Sequence, residues 1–101
     1  MFEGDKYMTR GVHESIPTEL QLFIWEAVTN MPAPKDYFQV FDLKIENSMQ
    51  VIHHYSEQPE YDKTYVLTVV ERPITAKIYV IDDYFEDEDK HIATMLLAEE
   101  Y

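Results

Sequence analysis

Two prolines, Pro32 and Pro34, divide this chain into a stretch with one clear helical periodicity and a longer stretch in which that periodicity does not return. Before them, Leu20, Phe23, Ile24, Ala27, Val28 and Met31 recur at helical spacing and predict a helix from about Pro17 to Met31. Pro17 suits the first turn, where its missing amide hydrogen costs nothing, and Glu19 puts negative charge near the positive end of the helix dipole. The two prolines then stop the helix. Leu22 and Trp25 fall outside the stripe, at about 140 to 200° from Leu20 when each residue advances about 100°. Large apolar residues in such positions either cover sheet edges and loops or meet a partner.

Everything after Pro34 reads as strands. Tyr37 to Glu46 alternates in its second half, with Phe41, Leu43 and Ile45 on one side and Asp42, Lys44 and Glu46 on the other, which predicts one core face and one wet face. Asn47-Ser48 makes a tight turn into a strand from Met49 to Tyr55. Tyr61 to Glu71 carries Val66, Leu67, Val69 and Val70 on both faces, and Ala76 to Ile81 does the same with Ile78, Tyr79, Val80 and Ile81. Such strands are expected near the middle of a sheet. His91 to Ala98 is assigned as a final strand because short connections favour an antiparallel meander, and Lys6 to His13 is expected to add one more ahead of the helix. The predicted fold is α+β: an antiparallel sheet of five or six strands with one helix packed across a face, in a single domain spanning residues 1–101. With only two glycines, Gly4 and Gly11, the hairpins must turn on Asn, Asp, Ser and Pro, and no glycine-rich phosphate loop is present.

Charge constrains the partners. There are 20 acidic residues against 8 Lys and Arg, giving a formal net charge of −12. The excess gathers after Val51, so the field is negative and uneven: it repels polyanions and attracts basic surfaces. Nucleic-acid binding is therefore not expected. The absence of cysteine excludes disulfides, thiolate zinc sites and cysteine nucleophiles, and suits a reducing cytoplasm. The first residues lack the basic and apolar segments of a secretory signal, and uninterrupted apolar runs such as Leu22 to Trp25 are far shorter than a membrane helix needs, so neither export nor a membrane partner is expected.

Asp82-Asp83-Tyr84-Phe85-Glu86-Asp87-Glu88-Asp89 places six acids in eight residues. It lacks the alternate-residue spacing and the glycine of a calcium loop, and is expected to be a solvated hairpin loop able to meet a basic partner. Asp82 and Asp83 follow an apolar run directly, where a carboxylate can serve as an acid or base, but adjacent strand residues point to opposite faces. The same argument separates His53 from His54, so a shared metal would need a distant ligand such as His13 or His91. His53, alternating with Met49, Val51 and Tyr55, reads as a partly buried histidine. Ser15 reads as a residue at the start of the helix and Ser48 as a turn residue, and neither has a nucleophile setting.

Several segments together resemble a known family: Tyr7-Met8-Thr9-Arg10-Gly11-Val12, Ile16-Pro17-Thr18-Glu19-Leu20-Gln21 with Trp25, Asp36-Tyr37-Phe38-Gln39-Val40-Phe41, Pro59-Glu60-Tyr61, Lys77-Ile78-Tyr79-Val80-Ile81-Asp82-Asp83 and Thr94-Met95-Leu96-Leu97-Ala98-Glu99-Glu100-Tyr101. The likeness is to a bacterial domain-of-unknown-function family, number 960, found in staphylococci and related Gram-positive bacteria. It spans nearly the whole chain, although the acidic stretch Tyr84 to Asp89 is longer than the likeness leads one to expect. The resemblance implies a small cytoplasmic protein and assigns no activity, cofactor or catalytic residue.

The function expected from these observations is a non-enzymatic acidic interaction module. Its partner is an unidentified protein, basic in character, met through Leu22 and Trp25, through the acidic residues Asp82, Asp83, Glu86, Asp87, Glu88 and Asp89, or through both. A small metal-dependent or acid/base enzyme using His53 or His54 with Asp82 or Asp83, and an acidic mimic of nucleic acid, are the two alternatives. No cofactor is expected, and an exposed strand edge leaves a homodimer open.

Overall fold

A computed structural model describes residues 1–68 and 70–101. The chain runs β1 (Asp5–Met8), α1 (Arg10–Ser15), α2 (Thr18–Asn30), β2 (Phe38–Glu46), β3 (Met49–Glu57), β4 (Glu60–Leu67), β5 (Ala76–Phe85) and β6 (Lys90–Leu97). Single 3₁₀ turns occupy Glu86–Glu88 and Ala98–Glu100. The six strands form one sheet in the order β1-β6-β5-β2-β3-β4, antiparallel throughout except that β1 runs parallel to β6.

The α+β class and the main helix agree with the sequence reading, with Pro17 as the residue capping α2 rather than its first member. The hairpin at Asn47-Ser48 also forms: both residues have positive φ, 51° and 63°, as a two-residue turn between twisted strands requires.

Three expectations are corrected. The segment expected to be one strand, Lys6 to His13, splits into β1 and a second helix, α1. The Thr9 hydroxyl accepts the Val12 amide at 3.3 Å and starts that helix, while Glu100 accepts from the Thr9 hydroxyl at 2.6 Å and from the Gly11 amide at 3.3 Å. Ser15 consequently ends a helix instead of opening one. The sheet is therefore mixed and carries two helices, where an antiparallel sheet with one was expected.

Second, β4 lies at the edge of the sheet, and the simple meander fails because the chain returns from β4 to lay β5 against β2. The strand stops at Leu67; the expected apolar position Val69 falls outside the described residues, and Val70 and Ile74 pack back against the core. Buried Gln50 holds this return. Its Nε2 donates to the Ile74 carbonyl at 3.0 Å and its Oε1 accepts the Ile74 amide at 2.8 Å.

Third, the acidic stretch is only half loop. β5 continues through Phe85, the turn comprises Glu86–Glu88, and Asp89 closes it in the left-handed conformation with φ 48°. Local charge density was the signal for a loop, but the β5–β6 register, with Tyr84 opposite His91 and Phe85 opposite Lys90, prevails.

The core lies on one face of the sheet. Strand alternation brings Phe41 and Leu43, Ile52, Ile78 and Val80, and Ala93 and Met95 to that face, where Val12 of α1, Leu20, Ile24 and Val28 of α2, and Phe2 cover them. Each of these side chains larger than alanine contributes about 1.5–3 kcal/mol by leaving water. Neither helix covers the second face, and what the strands display there defines the site.

Candidate functional site

Alternation that buries Phe41 and Leu43 under the helices turns Phe38 and Val40 to the uncovered face. Val40 lies between Tyr79 of β5 and Tyr55 of β3. The Phe38 and Tyr79 rings lie 4.8 Å apart, and Tyr101 reaches both edge-on, at 5.4 Å from Phe38 and 5.6 Å from Tyr79. Tyr37 adds a fourth ring 6.2 Å from Phe38. Such contacts contribute about 0.5–1.5 kcal/mol each beyond burial, and Tyr101 makes two of them although it is 77% exposed.

Beside the platform lies a cleft of about 540 Å³, walled by Tyr37, Phe38, Tyr55 and Tyr79 with Lys77 at its rim. Its far wall is fastened by Asp36, a buried carboxylate. Oδ1 accepts the Phe38 amide at 3.0 Å, and Oδ2 accepts the amides of Glu57 at 3.2 Å and Gln58 at 2.8 Å, tying the turn after β3 to the start of β2. The same face displays Asp42, Glu57, Asp62 and Asp83 against Lys44 and Lys77, so the aromatic floor sits in a negative field.

The residues singled out from sequence are distributed over several places. Leu22 stands on the outward side of α2, 63% exposed, whereas Trp25 is half-buried against the core. Asp82 is buried on the helix-covered face; Asp83 lies on the open face, and Glu86, Asp87, Glu88 and Asp89 form the exposed turn beyond it. Asp89 accepts the Tyr84 hydroxyl at 2.6 Å.

Asp82 has a partner that sequence reasoning missed. Its Oδ2 accepts from His91 Nδ1 at 2.6 Å, while Oδ1 is buried without a hydrogen bond among the described residues. A buried carboxylate orienting a half-exposed imidazole is the arrangement that prepares a histidine for proton transfer or metal binding. Here it stands without further members: among the described residues no three His, Asp or Glu side chains are placed to hold a metal ion. The Tyr84 ring rests 4.9 Å from His91 with its hydroxyl already given to Asp89. His53 and His54 do not join Asp82 or Asp83. His53 meets Asp62 at 3.0 Å on the open face, and His54 is wholly buried beneath the helices.

His54 lies flat on Phe41, ring centroids 4.1 Å apart, with its Nε2 2.7 Å from Gln39 Oε1. Because Gln39 Nε2 is engaged on the Asp36 carbonyl at 2.7 Å, its Oε1 faces His54, and His54 Nε2 must carry the hydrogen. Loss of hydration, reinforced by His53 and Lys63 nearby, lowers this imidazole from 6.5 to about 4, so it is neutral at physiological pH.

Fold and site together define a small α+β protein whose mixed six-stranded sheet carries helices on one face and an acid-rimmed aromatic platform on the other. The chain belongs to the domain-of-unknown-function family 960, described as staphylococcal protein of unknown function, whose profile matches residues 5–100. It is similar in fold to a crystal structure of a protein of unknown function from Enterococcus faecalis, with a TM-score of 0.78 and 22% sequence identity over 97% of this chain and 91% of that one. No curated protein matches the sequence. No helix among the described residues is long and apolar enough to cross a membrane.

Proposed function

We propose that this protein is a non-enzymatic interaction module and that it receives a basic protein partner on the open face of its sheet. The observation that carries this reading is the platform of Phe38, Tyr79 and Tyr101 left uncovered by either helix. Aromatic side chains on a rigid strand floor supply large contact area at little entropic cost and receive the guanidinium and ammonium groups of a partner on their faces. The acids around them, continued at one end of β5 by Asp83 and the turn Glu86–Asp89, favour a positively charged surface and steer its approach. The histidines support no enzymatic alternative equally well, because His53, His54 and His91 each bind a different residue.

Site-specific photocrosslinking in a staphylococcal cell lysate, over a series of salt concentrations, tests the reading, with the reactive side chain at position 79 and, as a control on the opposite layer, at position 22. The expected result is one basic protein attached from position 79, in a yield that falls with added salt and with Phe38→Ser. Attachment from position 22 alone, or a partner without a basic surface captured at any salt, refutes it.

A further inference from the structure

The two edges of the sheet differ in kind. β1 is four residues long and carries Asp5 and Lys6, the ordinary way to blunt an edge. β4 extends over eight residues, Glu60–Leu67, pairs among the described residues with β3 alone, and has no buried residue. Its outer row of backbone amides and carbonyls meets no other strand among the described residues. Above that edge, between β4 and the last turns of α2, lies a second groove of about 250 Å³ lined by Phe23, Ala27, Met31, Tyr61, Lys63 and Tyr65. The Phe23 ring stands edge-on to Tyr65 at 4.9 Å, and Lys63 Nζ lies 5.2 Å from the Tyr65 ring centre.

Strand alternation fixes what can enter. Residues opposite Tyr61, Lys63 and Tyr65 would project into the groove, and residues opposite Glu60, Asp62, Thr64 and Val66 would lie on the open face. The groove floor is Phe23, Ala27, Met31, Tyr61 and Tyr65, with Lys63, Glu26 and Asn30 at its margin, while the other side presents the carboxylates of Glu60 and Asp62. We propose that an extended segment of a partner protein, alternating apolar and basic residues, adds to the sheet along β4 and seats its apolar side chains in the groove beside α2. Backbone pairing supplies the affinity and the alternate pockets supply the selection. Charge favours a basic segment over a second copy of this chain as the occupant: each copy carries −12, whereas a basic segment meets Glu60 and Asp62, the latter bonded on one oxygen to His53, as it docks. This edge and its groove lie apart from the aromatic rings of the platform, sharing with them only the acidic residue Asp62, and the inference does not depend on the platform's function.

The test is titration of the full chain, followed by amide resonances and hydrogen exchange, with a synthetic peptide of alternating arginine and leucine. Two controls run beside it: the same peptide N-methylated at alternate residues, and a peptide with glutamate in place of arginine. The expected result is slowed exchange of β4 amides, shifts at Phe23, Ala27 and Tyr65, and affinity lost about tenfold for each backbone bond that N-methylation removes. Four results overturn the proposal: unchanged affinity on N-methylation, shifts confined to Tyr55 and Tyr79, no binding, or concentration-dependent protection of β4 without peptide. The second of these leaves the open-face reading intact while removing this one.

Discussion

Acidification below neutral pH should destabilise this fold through His54. In the unfolded chain this imidazole gains its proton near pH 6.5, whereas in the fold, buried against Phe41 and bonded to Gln39, it resists protonation until about pH 4. Between those values the unfolded state binds more protons, so stability falls as pH drops through 6.5, and the loss stops growing below the folded value. Those two titration points correspond to a loss of about 2 kcal/mol between pH 7.5 and pH 5, reaching about 3 kcal/mol by pH 4. For a domain of this size such a loss is a substantial share of total stability. Urea unfolding at pH 7.5 and pH 5 measures it, with the midpoint expected to drop by about 1–2 M. His54→Gln is the matched control: its amide still donates to Gln39 but cannot titrate, so it starts less stable and loses about 2 kcal/mol less on acidification. Equal pH dependence in the two proteins, or a His54 resonance titrating near 6.5, would refute the reasoning.

Three further outcomes are expected. His91→Ala strips the buried Asp82 carboxylate of its side-chain partner and should cost about 1–2 kcal/mol, most of it recovered when Asp82→Leu is added; equilibrium denaturation of the two single variants and the double variant closes the cycle. Trp25→Ala should cost about 2–4 kcal/mol by opening a cavity beside the core, whereas Leu22→Ser should change stability by about 0.5 kcal/mol or less, and thermal melts of both separate a packing residue from an exposed one. Gln50→Leu should release the return between β4 and β5, costing about 2 kcal/mol and accelerating amide exchange at Ile74.

Local pattern carried much of the fold. The α2 stripe, the alternation of Phe41, Leu43 and Ile45, and the turn at Asn47-Ser48 are set by neighbours within a few residues, so they were readable directly. The parallel pairing of β1 was not, because a strand whose partner lies at the far end of the chain leaves no mark in its own sequence. β4 was placed wrongly in the sheet because apolar residues on both faces signal burial only when both faces are covered. Here the second face is an open platform, and Val66 remains 53% exposed. The same rule hid part of the site: Tyr79 was read in a strand at the middle of the sheet, and Phe38 and Val40 preceded the half of their strand in which alternation was legible. The Asp82–His91 pair was lost by ending the strand at Ile81. Carried on to Phe85, the register sets Tyr84 against His91 and brings Asp82 diagonally within reach of it.

The pairing of Asp5–Met8 with Ile92–Met95 also orders events in time. The hairpins β2–β3, β3–β4 and β5–β6 join neighbours in sequence and can form as soon as each is synthesised, but β1 has nothing to pair with until β6 exists. Closing a loop of nearly the whole chain makes its docking a late step, when α1 is drawn onto the core and Glu100 reaches Thr9. During synthesis the strand made first waits for the strand made last, and until then Ala93 and Met95 lack the Val12 side chain that will cover them.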